Sequence, residues 1–147
     1  MAEFAFNPVQ LVEPNQNIIL DTVIPCNKGY VFHRDQSGIV ILRGITNNCF
    51  ARYQVTFNGN IALPEDATVV VPISVALAID GEPVQTSRAI VTPAAVEEYF
   101  NVTSTAIITV PHGCCFTVAV ENSSAVVDGT APEINVQNAN LTVSRIA

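Results

Sequence analysis

The sequence predicts an all-β domain, built as a sandwich or a barrel. Short runs rich in Val, Ile and Thr are separated by clusters of Pro, Gly and Asn, which is the spacing of strands and turns in all-β proteins. At 147 residues the chain has room for one domain with a hydrophobic core. No internal repeat with a period of about 20–50 residues interrupts this pattern.

Eight runs are predicted as strands. They cover residues 17–25, 30–34, 38–44, 51–63, 69–80, 104–110, 115–122 and 139–147. In the fourth run Tyr53, Val55 and Phe57 alternate with polar neighbours, as expected of a strand with one buried face. The last run alternates in the same way until a late slip, which predicts a bulge or a strand end.

The stretch at 73–79 differs from the other runs because it is apolar at nearly every position. Small residues alternate with Val75, Leu77 and Ile79, so both faces of this strand are expected to be covered. One face would fill the sandwich, and the other would meet a neighbouring subunit that the small side chains allow to approach closely. The Asp-Gly pair that follows predicts a chain reversal.

Two segments are predicted to depart from the strand pattern. A helix of about two turns is predicted at 93–100, because Thr92 can cap it and Pro93 suits its first position. Residues 1–16 are predicted to form an N-terminal arm that docks onto a larger particle, and residues 17–147 the sandwich domain.

The composition favours self-association. Hydrophobic residues make up 49% of the chain and charged residues 13%, about half of the charged share usual in soluble proteins. A domain of this size exposes many of its residues to solvent. Sparse charge therefore indicates that part of the surface is buried against other subunits.

Charge and hydropathy argue against two classes of partner. The net charge is −7 and the Lys and Arg residues form no cluster that could follow a phosphate backbone, so no nucleic-acid partner is expected. No run approaches the ~20 apolar residues of a membrane-spanning helix, so no membrane partner is expected. The first residues lack a basic segment followed by an apolar core, so we expect synthesis in a cytoplasm without a signal peptide.

The sequence contains no recognisable catalytic or cofactor motif. A phosphate-binding loop, a dinucleotide fingerprint, a nucleophile elbow and a His-Glu-x-x-His sequence are all missing, so neither an enzyme nor a cofactor is expected. His112 lies two positions before Cys114, but this spacing alone does not give the hydrogen bond that a nucleophile and its base require.

The four cysteines, Cys26, Cys49, Cys114 and Cys115, are interpreted as structural thiols or as disulfide partners. Neighbouring strand residues point to opposite faces, so Cys114 and Cys115 cannot easily share a metal ion, and no metal site is expected. Cys114 shares a face with Phe116 and is expected in the core, whereas Cys115 would face a loop or a subunit. Cys26 and Cys49 are candidate partners of either thiol, although cytoplasmic synthesis favours buried thiols over a disulfide.

Four stretches give the chain a resemblance to a known superfamily. They read CFARYQVTFNGNIAL, VPISVALAIDGEPV, AIITVPHGCCFTVAVEN and ANLTVSRIA, and the likeness covers roughly residues 38–147. These stretches resemble the core strands of the tumour necrosis factor (TNF) and complement component 1q (C1q) superfamily, particularly its bacterial exosporium members. The chain is also similar to short proteins encoded near structural genes in prophages.

The resemblance implies a ten-stranded jelly roll that assembles as a homotrimer through apolar and aromatic strand faces. The candidate interface residues on those faces are Tyr53, Val55, Phe57, Val75, Leu77 and Ile79. No collagen-like stalk is present, which favours a compact role over a display fibre.

We therefore expect a non-enzymatic virion structural protein, a homotrimeric phage head decoration or fibre-head protein. Its partners would be further copies of itself and phage capsid or fibre proteins, and it would reach the virion surface on assembly. The alternative is a carbohydrate- or protein-binding module on a bacterial, spore or phage surface. In that case loops at 64–68, 80–88 and 122–133 would recognise a surface glycan or protein.

Overall fold

The computed structural model describes residues 2–24, 30–34, 36–127 and 129–147. These residues form twelve strands and one short 3₁₀ turn, Gln85–Ser87. The strands are β1 (Ala2–Phe6), β2 (Gln10–Val12), β3 (Thr22–Ile24), β4 (Val31–His33), β5 (Val40–Arg43), β6 (Phe50–Ala62), β7 (Ile73–Ile79), β8 (Glu82–Pro83), β9 (Ala89–Val91), β10 (Phe100–Pro111), β11 (Cys115–Asn122) and β12 (Ile134–Arg145).

The strands form two sheets that pack as a sandwich. Sheet 1 has the order β10-β6-β12-β1-β3, and β2 also pairs with β12. Sheet 2 has the order β4-β5-β11-β7-β8, and β9 also pairs with β7. All pairings between these strands are antiparallel. The all-β sandwich predicted from the sequence is confirmed.

Alternate residues of the long strands fill the space between the sheets. In β6 the side chains of Ala51, Tyr53, Val55 and Phe57 are buried, while those between them face outward. The alternation predicted for this run is confirmed. β12 ends at Arg145, near the predicted strand end, and carries an irregularity earlier, where its register against β6 shifts.

The N-terminal residues belong to sheet 1, which corrects the predicted arm at 1–16. β1 lies between β12 and β3, with Ala2 opposite Val143. Phe4 is buried in the core, and β2 pairs with the first residues of β12. Because these strands bury apolar side chains and pair their backbone on sheet 1, they are part of the sandwich rather than an extension from it.

The helix predicted at 93–100 is not formed. Residues 92–99 make bends and turns, and Phe100 already begins β10. Glu97 has φ = 57°, and its N–H donates to the carbonyl of Leu63 at 2.9 Å. A left-handed residue cannot continue a right-handed helix, and an isolated helix of two turns is marginal in water.

The loops gather at two opposite ends of the sandwich. At the acidic end, where β6 ends and β10 and β12 begin, lie the loops 63–72, 92–99 and 123–133. At the thiol end lie the loop 44–49 and the turn 111–114, which are joined by a hydrogen bond from Gly44 N–H to the Cys114 carbonyl at 2.8 Å.

Candidate functional site

The structure places the predicted subunit-contact residues in the core of a single chain. Tyr53, Val55, Phe57, Val75 and Leu77 have no exposed surface, and Ile79 is packed against the same core with partial exposure. The prediction that these side chains form a trimer interface is wrong. Alternation shows that a strand has two different faces, but it does not show whether the apolar face meets the core or a neighbour.

Strand β7 is buried on both faces, as predicted, but this burial is reached within one chain. Val75 and Leu77 belong to the core, while Ala76 and Ala78 on the opposite face are also inaccessible to solvent. No neighbouring subunit is needed to cover this strand, so its apolar composition does not mark a contact between copies.

The outer face of sheet 1 is an almost uncharged surface, which we call the neutral face. It consists of Gln54, Thr56, Asn58, Asn60, Asn101, Thr103, Thr105, Ile107, Thr109, Asn135, Gln137, Asn140, Thr142 and Ser144. The charged side chains of Glu3 and Arg52 border it. Ile107 is 64% exposed, so an apolar side chain also stands open to solvent there.

Hydrogen bonds between neighbouring strands order part of the neutral face. The hydroxyls of Thr56 and Thr105 lie 3.0 Å apart, and Thr103 donates to Asn58 at 3.2 Å. Thr142 stands beside Thr56 on the other side, so one row of threonines crosses three strands. Cross-strand pairs of this kind hold side chains in fixed positions. The face therefore presents an ordered, neutral polar surface to whatever covers it.

The outer face of sheet 2 contrasts with the neutral face because it holds a buried carboxyl group. Glu121 is only 5% exposed and stands beside Ala76 and Ala119. Its carboxylate forms no hydrogen bond or ion pair with any residue that the structure describes. Burial raises the pKa of Glu121 above its ordinary value of 4.5, and the charge of Glu82 raises it further.

Three of the four cysteines are exposed, which corrects the prediction of buried thiols. Cys49, Cys114 and Cys115 are free and accessible to solvent, and Cys26 lies outside the described residues. Cys114 does follow the inward side of β11, but it lies in the turn before the strand, where the sandwich has already ended. Its predicted place in the core is therefore wrong.

The histidine near the paired thiols lies beside a different cysteine from the one the sequence suggested. The N–H of His112 donates to the carbonyl of Cys49 at 2.9 Å, and its Nδ1 lies 2.7 Å from the Thr46 carbonyl. The imidazole makes no hydrogen bond to a described thiol. Among the described residues, no three His, Cys, Asp or Glu side chains are placed to hold a metal ion.

A cleft of about 420 Å³ opens at the acidic end, between the loops 63–72 and 123–133. It is lined by Leu63, Pro64, Asp66, Ala67, Thr68, Val69, Val71, Val127, Thr130, Pro132 and Glu133. Its volume lies in the range of ~300–1,000 Å³ that is typical of ligand pockets. The cleft thus joins two of the three loops that the sequence predicted as recognition loops, although they are about 60 residues apart in the chain.

A fully buried amide, which sequence reasoning missed, fixes one wall of this cleft. Asn122 donates from Nδ2 to the carbonyls of Pro132 at 2.9 Å and Val12 at 3.1 Å, and its Oδ1 accepts from the Ser124 N–H at 3.1 Å. The sequence did contain a signal for this role, because Asn122 stands at the end of an apolar strand. A buried asparagine at such a position needs hydrogen-bond partners for its side-chain amide.

Three solved structures illustrate the similarity of this chain to known folds. The globular domain of zebrafish complement 1qA has a TM-score of 0.60 at 11% identity, covering 96% of this chain and 94% of that one. Eiger TNF from S. frugiperda has a TM-score of 0.67 at 13% identity, covering 99% of this chain and 91% of that one. Murine APRIL has a TM-score of 0.51 at 12% identity, covering 92% of this chain and 98% of that one.

The chain has a TNF/C1q-like jelly-roll fold. The resemblance seen in the sequence is thereby confirmed at the level of the fold, over nearly the whole TNF/C1q-like chain rather than residues 38–147 alone. No protein-family model matches the sequence, and no curated protein matches it. The described residues contain no helix that is long and apolar enough to span a membrane.

Proposed function

We propose that this TNF/C1q-like chain is a non-enzymatic homotrimeric structural module whose subunits meet through the neutral face. The observation that carries the proposal is the near absence of charge across the three strands β10, β6 and β12 of sheet 1. Subunit interfaces are depleted in charged residues, because buried charges must be stripped of water. Thr, Asn and Gln side chains can instead exchange their hydrogen bonds with water for hydrogen bonds with a neighbouring copy.

Sheet 2 is the weaker candidate for this contact. Arg43, Glu82, Arg88 and Glu121 all belong to it or to the segment beside it. Covering that surface would bury several charges, while covering the neutral face buries almost none. The homotrimer implied by the sequence resemblance is therefore proposed with a different surface from the one that the sequence predicted.

A charge placed in the middle of the neutral face tests this proposal. Native mass spectrometry and light scattering should show three chains for the wild type and single chains for Thr56→Lys, since each copy would bury an unpaired ammonium group. Thr86→Lys, at an exposed site on the 3₁₀ turn, is the matched control and should remain trimeric. A monomeric wild type, or a trimeric Thr56→Lys, would overturn the proposal.

The setting that we propose for the trimer is the surface of a phage virion, as a head decoration or fibre-head protein. What supports this setting is the likeness of the sequence to short proteins encoded near structural genes in prophages. Mass spectrometry of purified particles should then find the chain at a copy number divisible by three. Its absence from particles purified from the producing strain would contradict this setting and leave the trimer proposal standing.

A further inference from the structure

The cleft at the acidic end has features that the proposed trimer does not use. Its lining is mixed: the polar side chains of Asp66, Thr68, Thr130 and Glu133 alternate with aliphatic ones, which include Val69, Val71 and Val127. At its mouth Val69 is 60% exposed, and Val126, next to the lining residue Val127, is 68% exposed. These two valines therefore add apolar surface beside the polar groups of the cleft.

The walls of the cleft are held in place by backbone bonds. Glu97 N–H binds the Leu63 carbonyl at 2.9 Å, and Ala67 N–H binds the Pro64 carbonyl at 3.0 Å. On the other side Val127 N–H donates to the Thr130 carbonyl at 2.8 Å. The cleft is therefore formed before a ligand arrives, and binding would cost little ordering of the loops.

The charge around the cleft has one sign. Asp66 and Glu133 line it, and neither forms an ion pair with a residue that the structure describes. The described residues of the three loops at this end carry five carboxylates, Glu65, Asp66, Glu97, Glu98 and Glu133, and no Lys or Arg. Beside this end, Arg88 donates to the Ser123 carbonyl at 2.9 Å and to the Ser74 hydroxyl at 3.0 Å, and it does not line the cleft.

We propose that the cleft docks an extended segment of a partner protein in which Lys or Arg side chains alternate with aliphatic ones. The aliphatic side chains would pack on the valine walls, and the cations would pair with Asp66 and Glu133. The lining contains no aromatic side chain on which a sugar ring could stack, which favours a peptide over a glycan. Charge complementarity selects a basic segment over a neutral or acidic one.

Three capped pentapeptides of alternating sequence test the proposal: Leu-Lys-Val-Lys-Leu and its counterparts with Gln or Glu in place of Lys. Fluorescence anisotropy with the labelled peptides should show binding of the Lys peptide only, weakening as salt is raised. In the full chain, Asp66→Asn with Glu133→Gln should weaken this binding about tenfold, the effect expected for losing two partly exposed charge pairs.

The matched control is Asp21→Asn with Glu82→Gln, which removes two exposed carboxylates away from the cleft and should leave binding unchanged. Val69→Ser tests the contribution of the aliphatic side chains. It should weaken binding of the Lys peptide without altering the salt dependence of that binding. Equal binding of the Gln peptide, or an equal loss in both double variants, would overturn the proposal.

A second copy of the chain is the competing occupant, because Arg43, Arg52 and Arg145 lie towards the thiol end. It would reveal itself as association beyond three chains at high concentration, abolished by Asp66→Asn with Glu133→Gln in the absence of peptide. That result would overturn the partner segment in favour of stacking between copies.

Discussion

The hydroxyl of Tyr53 donates a hydrogen bond of 2.5 Å to the backbone carbonyl of Arg43. Tyr53 belongs to β6 in sheet 1 and Arg43 to β5 in sheet 2, so this bond ties the two sheets together near the thiol end. The aromatic ring that looked from the sequence like a subunit contact is thus a link inside one chain.

Tyr53→Phe should lower the free energy of unfolding by about 1 kcal/mol, because a buried carbonyl loses its donor while the ring packing is kept. Urea denaturation measures this loss. Tyr99→Phe, whose hydroxyl has no partner among the described residues, is the control and should change little. If Tyr53→Phe instead released monomers with unchanged stability, the placement of Tyr53 in the core would be contradicted.

Asn122→Ala should be more damaging, with a loss of about 3 kcal/mol, because it leaves two carbonyls and one N–H without partners. The loop that carries Pro132 should also lose its fixed position, so the Lys peptide should bind more weakly. Asn7→Ala, at an exposed position outside the neutral face, is the control, with an expected change within about 0.5 kcal/mol. Thermal unfolding and peptide anisotropy together check both effects, and an Asn122→Ala chain as stable as Asn7→Ala would refute the assignment.

Glu121→Gln should stabilise the protein at neutral pH. The pKa of Glu121 is raised in the folded state, above the value of 4.5 expected when unfolded, so ionisation of this carboxyl opposes folding. The wild type therefore loses stability as the pH rises from about 4.5 through the folded pKa. The amide variant is spared this loss.

The Tm of Glu121→Gln should exceed that of the wild type at pH 7, and this advantage should vanish near pH 4, where the carboxyl group of the folded wild type is protonated. Differential scanning calorimetry across this range measures it. Glu65→Gln at an exposed site is the control for the loss of one charge. An advantage that is the same at pH 4 and pH 7 would show that ionisation of Glu121 is not its cause.

Native alkylation should label Cys49, Cys114 and Cys115, because all three are accessible in the folded chain. Iodoacetamide followed by peptide mapping identifies the labelled sites, and a triple Cys→Ser variant at these positions shows any labelling elsewhere. If Cys114 were labelled only after urea is added, its exposure would be contradicted and the buried position predicted from the sequence would be supported.

The sequence predicted the structure correctly where apolar and polar residues alternate over many consecutive positions. The run containing Tyr53, Val55 and Phe57 was correctly predicted as a strand, since alternation over many residues requires no knowledge of the partner strand. The N-terminal strand was missed because Ala2 pairs with Val143 at the far end of the chain, and such a register leaves no local trace. The helix at 93–100 failed because the bond from Glu97 to Leu63 is also non-local.

The candidate sites were less predictable than the fold. In the sequence, the Thr and Asn residues of the neutral face look like ordinary solvent-facing strand positions. That together they form an uncharged surface becomes visible only when the order of β10, β6 and β12 in the sheet is known. The cleft likewise joins Asp66 to Glu133 through chain topology. Both loops were predicted from the sequence, but the spacing of residues along the chain does not show that the two loops face each other.

The position of β1 between β12 and β3 has a consequence for biosynthesis. On a ribosome, residues 2–6 are made well over 100 residues before residues 139–143, with which β1 pairs. The middle of sheet 1 therefore closes only after residues 139–143 have been translated, and until then the strands that will flank β12 keep an unpaired edge. Folding is expected to be slow and largely post-translational, as for other topologies dominated by distant pairings.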